Sequence, residues 1–126
     1  MNPNERIKEI LTPDMILQCY CWEPVGSRIT CDPPPTDTDE DWLLRVVDLE
    51  SFCKLAVDSG WELGTSLKNH PEFASLKLED VNLICTQQLE FWDKFRAASS
   101  VAKRLNLLDK DDRIALFRAV LYAEHC

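Results

Sequence analysis

Three carboxylates spaced two residues apart are the chain's best candidates for holding a divalent cation. They are Asp37, Asp39 and Asp41, in the stretch Thr36-Asp37-Thr38-Asp39-Glu40-Asp41-Trp42-Leu43-Leu44. On an extended strand, positions i and i+2 point to the same face, so Asp39 and Asp41 can share an ion. Asp37 lies on that face too and can substitute, which leaves the register open by one step. Upstream, Val25-Gly26-Ser27-Arg28 supplies complementary chemistry. A Gly-Ser turn lets backbone N–H groups approach phosphate oxygens closely, and Arg28 stands beside it as a cation able to meet a phosphate. Together the two motifs could hold a metal ion against phosphate.

Such a site needs strands on both sides of the turn, and the sequence offers them. Gln18–Glu23 is rich in strand formers and runs straight into Gly26-Ser27. Asp32-Pro33-Pro34-Pro35-Thr36 cannot sit in a central strand and reads as a stiff, exposed link. Trp42–Val47 is a compact apolar run, expected to be a mostly buried strand beside the one ending at Trp22. Before these, residues 4–18 read as a short helix, a break at Thr12-Pro13, and a helical turn at Asp14–Leu17. Asp48 is the expected N-cap of a helix that buries Phe52, Leu55 and Ala56 and ends at Gly60. Trp61-Glu62-Leu63 resembles a short strand, followed by a Gly64-Thr65-Ser66 turn. Residues 67–78 are the least readable, with a loop at His70–Phe73 and with Phe73 and Leu76 packing inward. Asp80–Thr86 is a clear strand. Phe91, Trp92, Phe95, Ala98, Val101, Ala102 and Leu105 follow the 3.6-residue period of a helix. Asn106-Leu107-Leu108 breaks that pattern, and Asp109 or Asp111 caps a last helix carrying Ile114, Leu116, Phe117, Val120 and Leu121. This order predicts an α+β class close to α/β: a small mixed sheet flanked by helices, with two C-terminal helices, in one domain over residues 1–126.

The 126 residues suffice for a core without metal or disulfide staples. With 45% apolar and 29% charged residues the chain belongs with soluble globular proteins. A formal net charge of -8 argues against general nucleic-acid binding, leaves room for a small anion held locally by Mg²⁺, and suits a basic protein partner. No run of about 18 apolar residues suggests a membrane span, and the N-terminus lacks signal-peptide anatomy. Six cysteines raise the question of a disulfide scaffold. Cys53 and Cys85 sit in apolar segments, and Cys19 and Cys21 alternate on a strand so that they share a face. A zinc site from Cys19, Cys21 and Cys31 matches no common finger spacing, and reduced thiols in a cytoplasm are the expectation.

The sequence of strand, Gly-Ser, spacer, Asp-x-Asp, apolar strand, helix and third strand resembles the minimal nucleotidyltransferase fold of the polymerase-beta-like superfamily. The resemblance spans roughly residues 4–105 in element order and rests on Gly26-Ser27 and on Thr38-Asp39-Glu40-Asp41-Trp42-Leu43. It implies that Gly26 and Ser27 grip the phosphates of a nucleoside triphosphate while Asp39 and Asp41 bind Mg²⁺. A third carboxylate on a neighbouring strand would help activate an acceptor hydroxyl, and a nucleoside monophosphate would be transferred. The third position falls at Val81-Asn82-Leu83, where Asn82 can accept a hydrogen bond or ligate weakly but cannot act as a base. Asp80, two residues earlier on the same face, is the alternative. Glu40 points away from the site, where the family has an apolar residue. The tail Phe91–Leu121 also resembles the C-terminal helical region of bacteriophage proteins described as nucleotidyltransferase-like, which implies a host-cell cytoplasm.

A second class of function is a non-catalytic phage accessory protein that binds a host protein through its acidic surface. Isolated His70 and His125 give Ser27 no catalytic triad. Lys103-Arg104 reads as solvated surface, and the Trp92–Phe95 stripe as core.

Overall fold

Trp42, Leu43, Leu44 and Val46 are all buried, so the strand that carries them is covered on both faces. That strand, β2 (Glu40–Val46), lies within a five-stranded mixed sheet of order β1-β2-β5-β4-β3. A computed structural model describes residues 2–36, 38–64 and 71–122. Its remaining strands are β1 (Cys19–Val25), β3 (Glu62–Leu63), β4 (Ala74–Leu78) and β5 (Val81–Thr86). As expected, β1 pairs with β2, antiparallel; β2 pairs with β5 in parallel, and β4 joins β5 as a hairpin. Pro24 is accommodated because β1 is an edge strand.

The helices are α1 (Pro3–Ile10), α2 (Pro13–Leu17), the short α3 (Ser27–Thr30), α4 (Leu49–Asp58), α5 (Leu89–Leu105) and α6 (Lys110–Tyr122). Side-chain alternation along β2 divides the core. Trp42, Leu44 and Val46 join Ile7, Met15 and Phe52 from α1, α2 and α4, whereas Leu43 joins Phe91, Trp92 and Phe95 from α5. The chain is therefore an α+β protein with helices on both faces and two C-terminal helices, and α6 closes the second face loosely, with no fully buried residue. Among the described residues no helix is long and apolar enough to cross a membrane.

Local signals explain the boundaries. Asn2 and Thr12 cap α1 and α2 through side-chain oxygens, with proline in each first turn. Gly60 at φ +100° ends α4, and Asn106 at φ 49° ends α5. Asp109 caps α6, its Oδ1 accepting from the N–H groups of Asp111 and Asp112. Asp48 stands at the N-cap of α4, but its carboxylate accepts from Ser51 Oγ, and the Leu49 N–H donates to Gln87 instead.

Several expectations are corrected. Residues 74–78 form a strand, with Ala74 and Leu76 buried and Lys77 exposed. A register shift between Cys19 and Cys21 turns the thiols to opposite faces, Cys19 against the α1/α2/α4 cluster and Cys21 against the α5 cluster. Cys31 lies elsewhere, at the end of α3, with its Sγ donating to the Leu107 carbonyl. The three cysteines thus do not converge. Val101 and Leu105 are exposed, the first at the margin of the α5 stripe and the second at the helix's last residue. The Gly64-Thr65-Ser66 turn beyond Gly64, together with His70 and His125, lies outside the described residues.

Glu40 has a structural task. Its carboxylate accepts from Arg6 Nη2 at 2.8 Å and Nε at 3.0 Å, and from the indole N–H of buried Trp42 at 2.8 Å, tying α1 to β2. Arg6 is the main cause holding the Glu40 carboxyl below its usual 4.5. The stabilisation is therefore present above pH 4.5 and lost as pH falls through the lowered folded-state value. Glu40→Ala also strips a buried indole of its acceptor, for an expected cost of about 2 kcal/mol. Urea denaturation should show that loss at neutral pH and convergence with the wild type in acid; equal stability at neutral pH would contradict it.

Candidate functional site

Gly26 sits between β1 and α3 with φ +85°, a conformation that L side chains rarely adopt. Its neighbour Val25 is the register partner of Asp41, so the turn passes directly over that carboxylate. A Cβ at Gly26 would lie 2.1 Å from Asp41 Oδ2 and 2.9 Å from Asp41 Cβ. Backbone and carboxylate are thus built as one surface, and a side chain at this position would destroy it. Ser27 opens α3, whose first turn is closed by the Ile29 and Thr30 N–H groups donating to the Gly26 carbonyl.

Asp41 stands on the α5/α6 face of the sheet, half-buried. It pairs in register with Asn82 of β5, and Asn82 Nδ2 donates to Asp41 Oδ1 at 3.3 Å. Burial is the largest cause raising the Asp41 pKa above 3.8, and the charge of Asp39 raises it further; the Asn82 hydrogen bond, Arg28 and Lys77 oppose. Asp41 is thus a carboxylate short of positive charge, beside an amide that supplies none.

A cavity of about 340 Å³ opens over this point. Gly26, Ser27 and Asp41 form one wall, Lys110 and Arg113 of α6 supply cations, and Ile84, Phe95 and Phe117 are among the apolar groups behind them. Arg113 is held by the carbonyls of Leu107 and Leu108 at 2.9 and 2.8 Å and by Cys31 Sγ at 3.3 Å. Those acceptors are uncharged, and among the described residues neither Arg113 nor Lys110 forms an ion pair with a carboxylate. The cavity is therefore locally cationic in a protein of net charge -8.

Asp39, Asp80 and Arg28 line a neighbouring hollow of about 310 Å³ with Thr36 and Thr38. Arg28 donates to the Thr38 hydroxyl at 3.3 Å and to the Thr38 carbonyl. Asp39 Oδ2 is 3.1 Å from Lys77 Nζ. Asp80 is in the β4–β5 turn, and its carbonyl accepts from the Glu40 N–H at 2.7 Å. The structure thus joins Gly26, Ser27, Asp41 and Asn82, and groups Arg28, Asp39 and Asp80 beside them. Asp37 lies outside the described residues.

No group of three or more His, Cys, Asp or Glu side chains among the described residues could hold a metal ion unaided. A pair of carboxylates two residues apart suits Mg²⁺ that arrives with phosphate, because this ion keeps several waters and needs only one or two protein carboxylates. Asp41 Oδ2 lies against the bare Gly26 backbone, and its Oδ1 accepts from Asn82.

Sequence reasoning missed Lys77, Lys110 and Arg113. Lys110 and Arg113 lie on a helix whose apolar stripe draws attention, and only the packing of α6 brings them into the cavity with Asp41. Lys77 fell in the unreadable stretch, although the alternation Ala74-Ser75-Leu76-Lys77 was a usable strand signal.

The architecture is an α+β fold, a mixed five-stranded sheet with helices on both faces. Among solved structures, the chain is similar to the conserved protein GrpB from Enterococcus faecalis, with a TM-score of 0.53 and 15% sequence identity over 94% of this chain and 87% of that one. At that identity the likeness is one of fold. No protein-family model matches the sequence, and no curated protein does.

Proposed function

We propose that the chain binds a Mg²⁺-loaded nucleoside triphosphate and serves as a nucleotidyltransferase-like protein acting on a hydroxyl acceptor. The observation that carries this reading is the seat of Gly26 on Asp41, where a Cβ would meet Oδ2 at 2.1 Å, in a cavity also lined by two cations that form no ion pair with a carboxylate among the described residues. Asp39 and Asp41 would hold the metal, which when bound neutralises phosphate charge and polarises the bond to be broken. Gly26 and Ser27 allow close approach of phosphate oxygens to the backbone, and Lys110 and Arg113 add a cationic clamp from α6. Arg28 faces the neighbouring hollow as a further phosphate contact. Asp80 is the carboxylate available there to take a proton from an acceptor, while Asn82 can orient but not deprotonate.

Calorimetric titration with a non-hydrolysable nucleoside triphosphate, with and without Mg²⁺, tests this. Asp39→Asn is expected to weaken Mg²⁺-dependent binding by about tenfold, the equivalent of about 1.4 kcal/mol. Binding that ignores both Mg²⁺ and this substitution would remove the metal role.

A second reading draws on Asn82, which leaves Asp41 without a neighbouring base. In it the domain is a non-catalytic module whose acidic surface holds a basic protein partner. A partner retained in EDTA and by an Asp39/Asp41 double variant would favour that module, and loss of the partner under either condition would count against it.

A further inference from the structure

Helix α6 is 13 residues long and buries none of them completely. The reason is what lies beneath it. Ile114, Phe117 and Leu121 line the cavity over Gly26 and Asp41 instead of a packed core. A second hollow, of about 300 Å³, opens under the far end of the helix, lined by Leu121 and Tyr122 with Phe91 and Lys94 of α5. Side chains that border a void lose the dispersion contacts a packed neighbour would give. Phe117 keeps a ring contact with Phe95, 4.8 Å between centroids.

The two ends of α6 are held very differently. Before its start, Asn106 exchanges two hydrogen bonds of 2.9 Å with the Asp32 backbone. Cys31 Sγ donates to the Leu107 carbonyl, and Arg113 Nη1 donates to the carbonyls of Leu107 and Leu108. This end is pinned to the end of α3. At the far end, among the described residues, the side-chain tie is a single hydrogen bond from the Tyr122 hydroxyl to Glu72 Oε1 at 3.2 Å. Leu107 and Leu108 belong to neither α5 nor α6, and they follow Asn106 in the left-handed region. They form a joint.

We infer that α6 is a lid on the Gly26–Asp41 cavity, pivoting at Leu107–Leu108 and latched at its far end by Tyr122 on Glu72. Lys110 and Arg113 sit beside the joint, so opening withdraws the apolar wall of Phe117 and Leu121 and moves the cations least. Closing shields the cavity from water. A 13-residue helix is marginal in water by itself, so the α6 amides exchange once it leaves α5. Triphosphate as the enclosed ligand rests on the reading above; the opening itself does not.

Hydrogen exchange of the full chain without ligand, followed by mass spectrometry, tests the opening. Residues 110–122 should exchange about 100-fold faster than Phe91–Ala102 and β2, because α6 opens while the rest of the domain stays folded. Tyr122→Phe keeps the ring and removes the latch. It should speed exchange in α6 about fivefold and leave α5 unchanged. A saturating non-hydrolysable nucleoside triphosphate should slow α6 again. Exchange of α6 in step with α5, or unmoved by Tyr122→Phe, overturns the lid. Triphosphate that binds by calorimetry yet leaves α6 exchange unchanged overturns α6 as a cover for this cavity. Triphosphate that fails to bind, while α6 opens as stated, overturns only the reading above.

Discussion

Gly26→Ala is expected to cost about 2–4 kcal/mol of stability and to abolish triphosphate binding. Two effects combine. The backbone at φ +85° is strained for any residue with a Cβ, which accounts for about 1 kcal/mol. The new methyl would also meet Asp41 Oδ2 at 2.1 Å and both Cβ and Cγ at 2.9 Å. A rotamer change can swing the Oδ2 atom away, but Asp41 Cβ is fixed to β2, so the strand or the turn must move. Either movement separates the Gly-Ser backbone from the carboxylate. Gly60→Ala is the control: φ is +100° there, and nothing lies within 4 Å of the added Cβ. It should cost only the backbone strain, about 1 kcal/mol. Urea denaturation of both variants measures the difference. Equal losses would mean that the turn does not rest on Asp41.

Asp41→Asn should separate stability from function. The Asp41 pKa is raised above 3.8, chiefly by burial, so the folded chain holds this proton more tightly than the unfolded chain does. Stability therefore falls as pH rises from 3.8 through the folded-state value, and at neutral pH the ionised carboxylate is a net cost. Asparagine is nearly isosteric and uncharged. The variant should melt above the wild type at neutral pH, with the advantage vanishing in acid, where Asp41 is protonated in both states. Binding of a Mg²⁺-loaded triphosphate should meanwhile weaken by about 30- to 100-fold, the loss of one charge-assisted contact of about 2–3 kcal/mol. Higher stability with lost binding is the pattern of a residue kept for function. Thermal melts across pH and a calorimetric titration check the two halves separately; a variant less stable than the wild type at neutral pH contradicts the first.

The fold was legible where local chemistry and packing agree. The Gly-Ser turn, the β2 run and the Asp80–Thr86 strand could be placed in order, and the structure sets Asp41 and Asn82 side by side in register. Strand β4 was obscured because it follows a His-Pro turn signal and offers only Ala74 and Leu76 as buried residues. The bulge between Cys19 and Cys21 leaves no mark on composition, yet it reverses which face each thiol occupies. Glu40 looked like a departure from an apolar position. Its reason is Arg6, 34 residues away, and no local pattern carries that pairing. The same limit applies to Lys110 and Arg113: their charge is plain in the sequence, but their place above Asp41 exists only once α6 has packed on α5.

The most direct measurement is a crystal structure of the chain grown with a non-hydrolysable nucleoside triphosphate and Mg²⁺. The account predicts one metal ion between Asp39, Asp41 and the phosphates, with phosphate oxygens against the Gly26-Ser27 backbone and within reach of Lys110 and Arg113. Triphosphate bound at another surface, or a cavity over Asp41 still without nucleotide at saturating concentration, would contradict it.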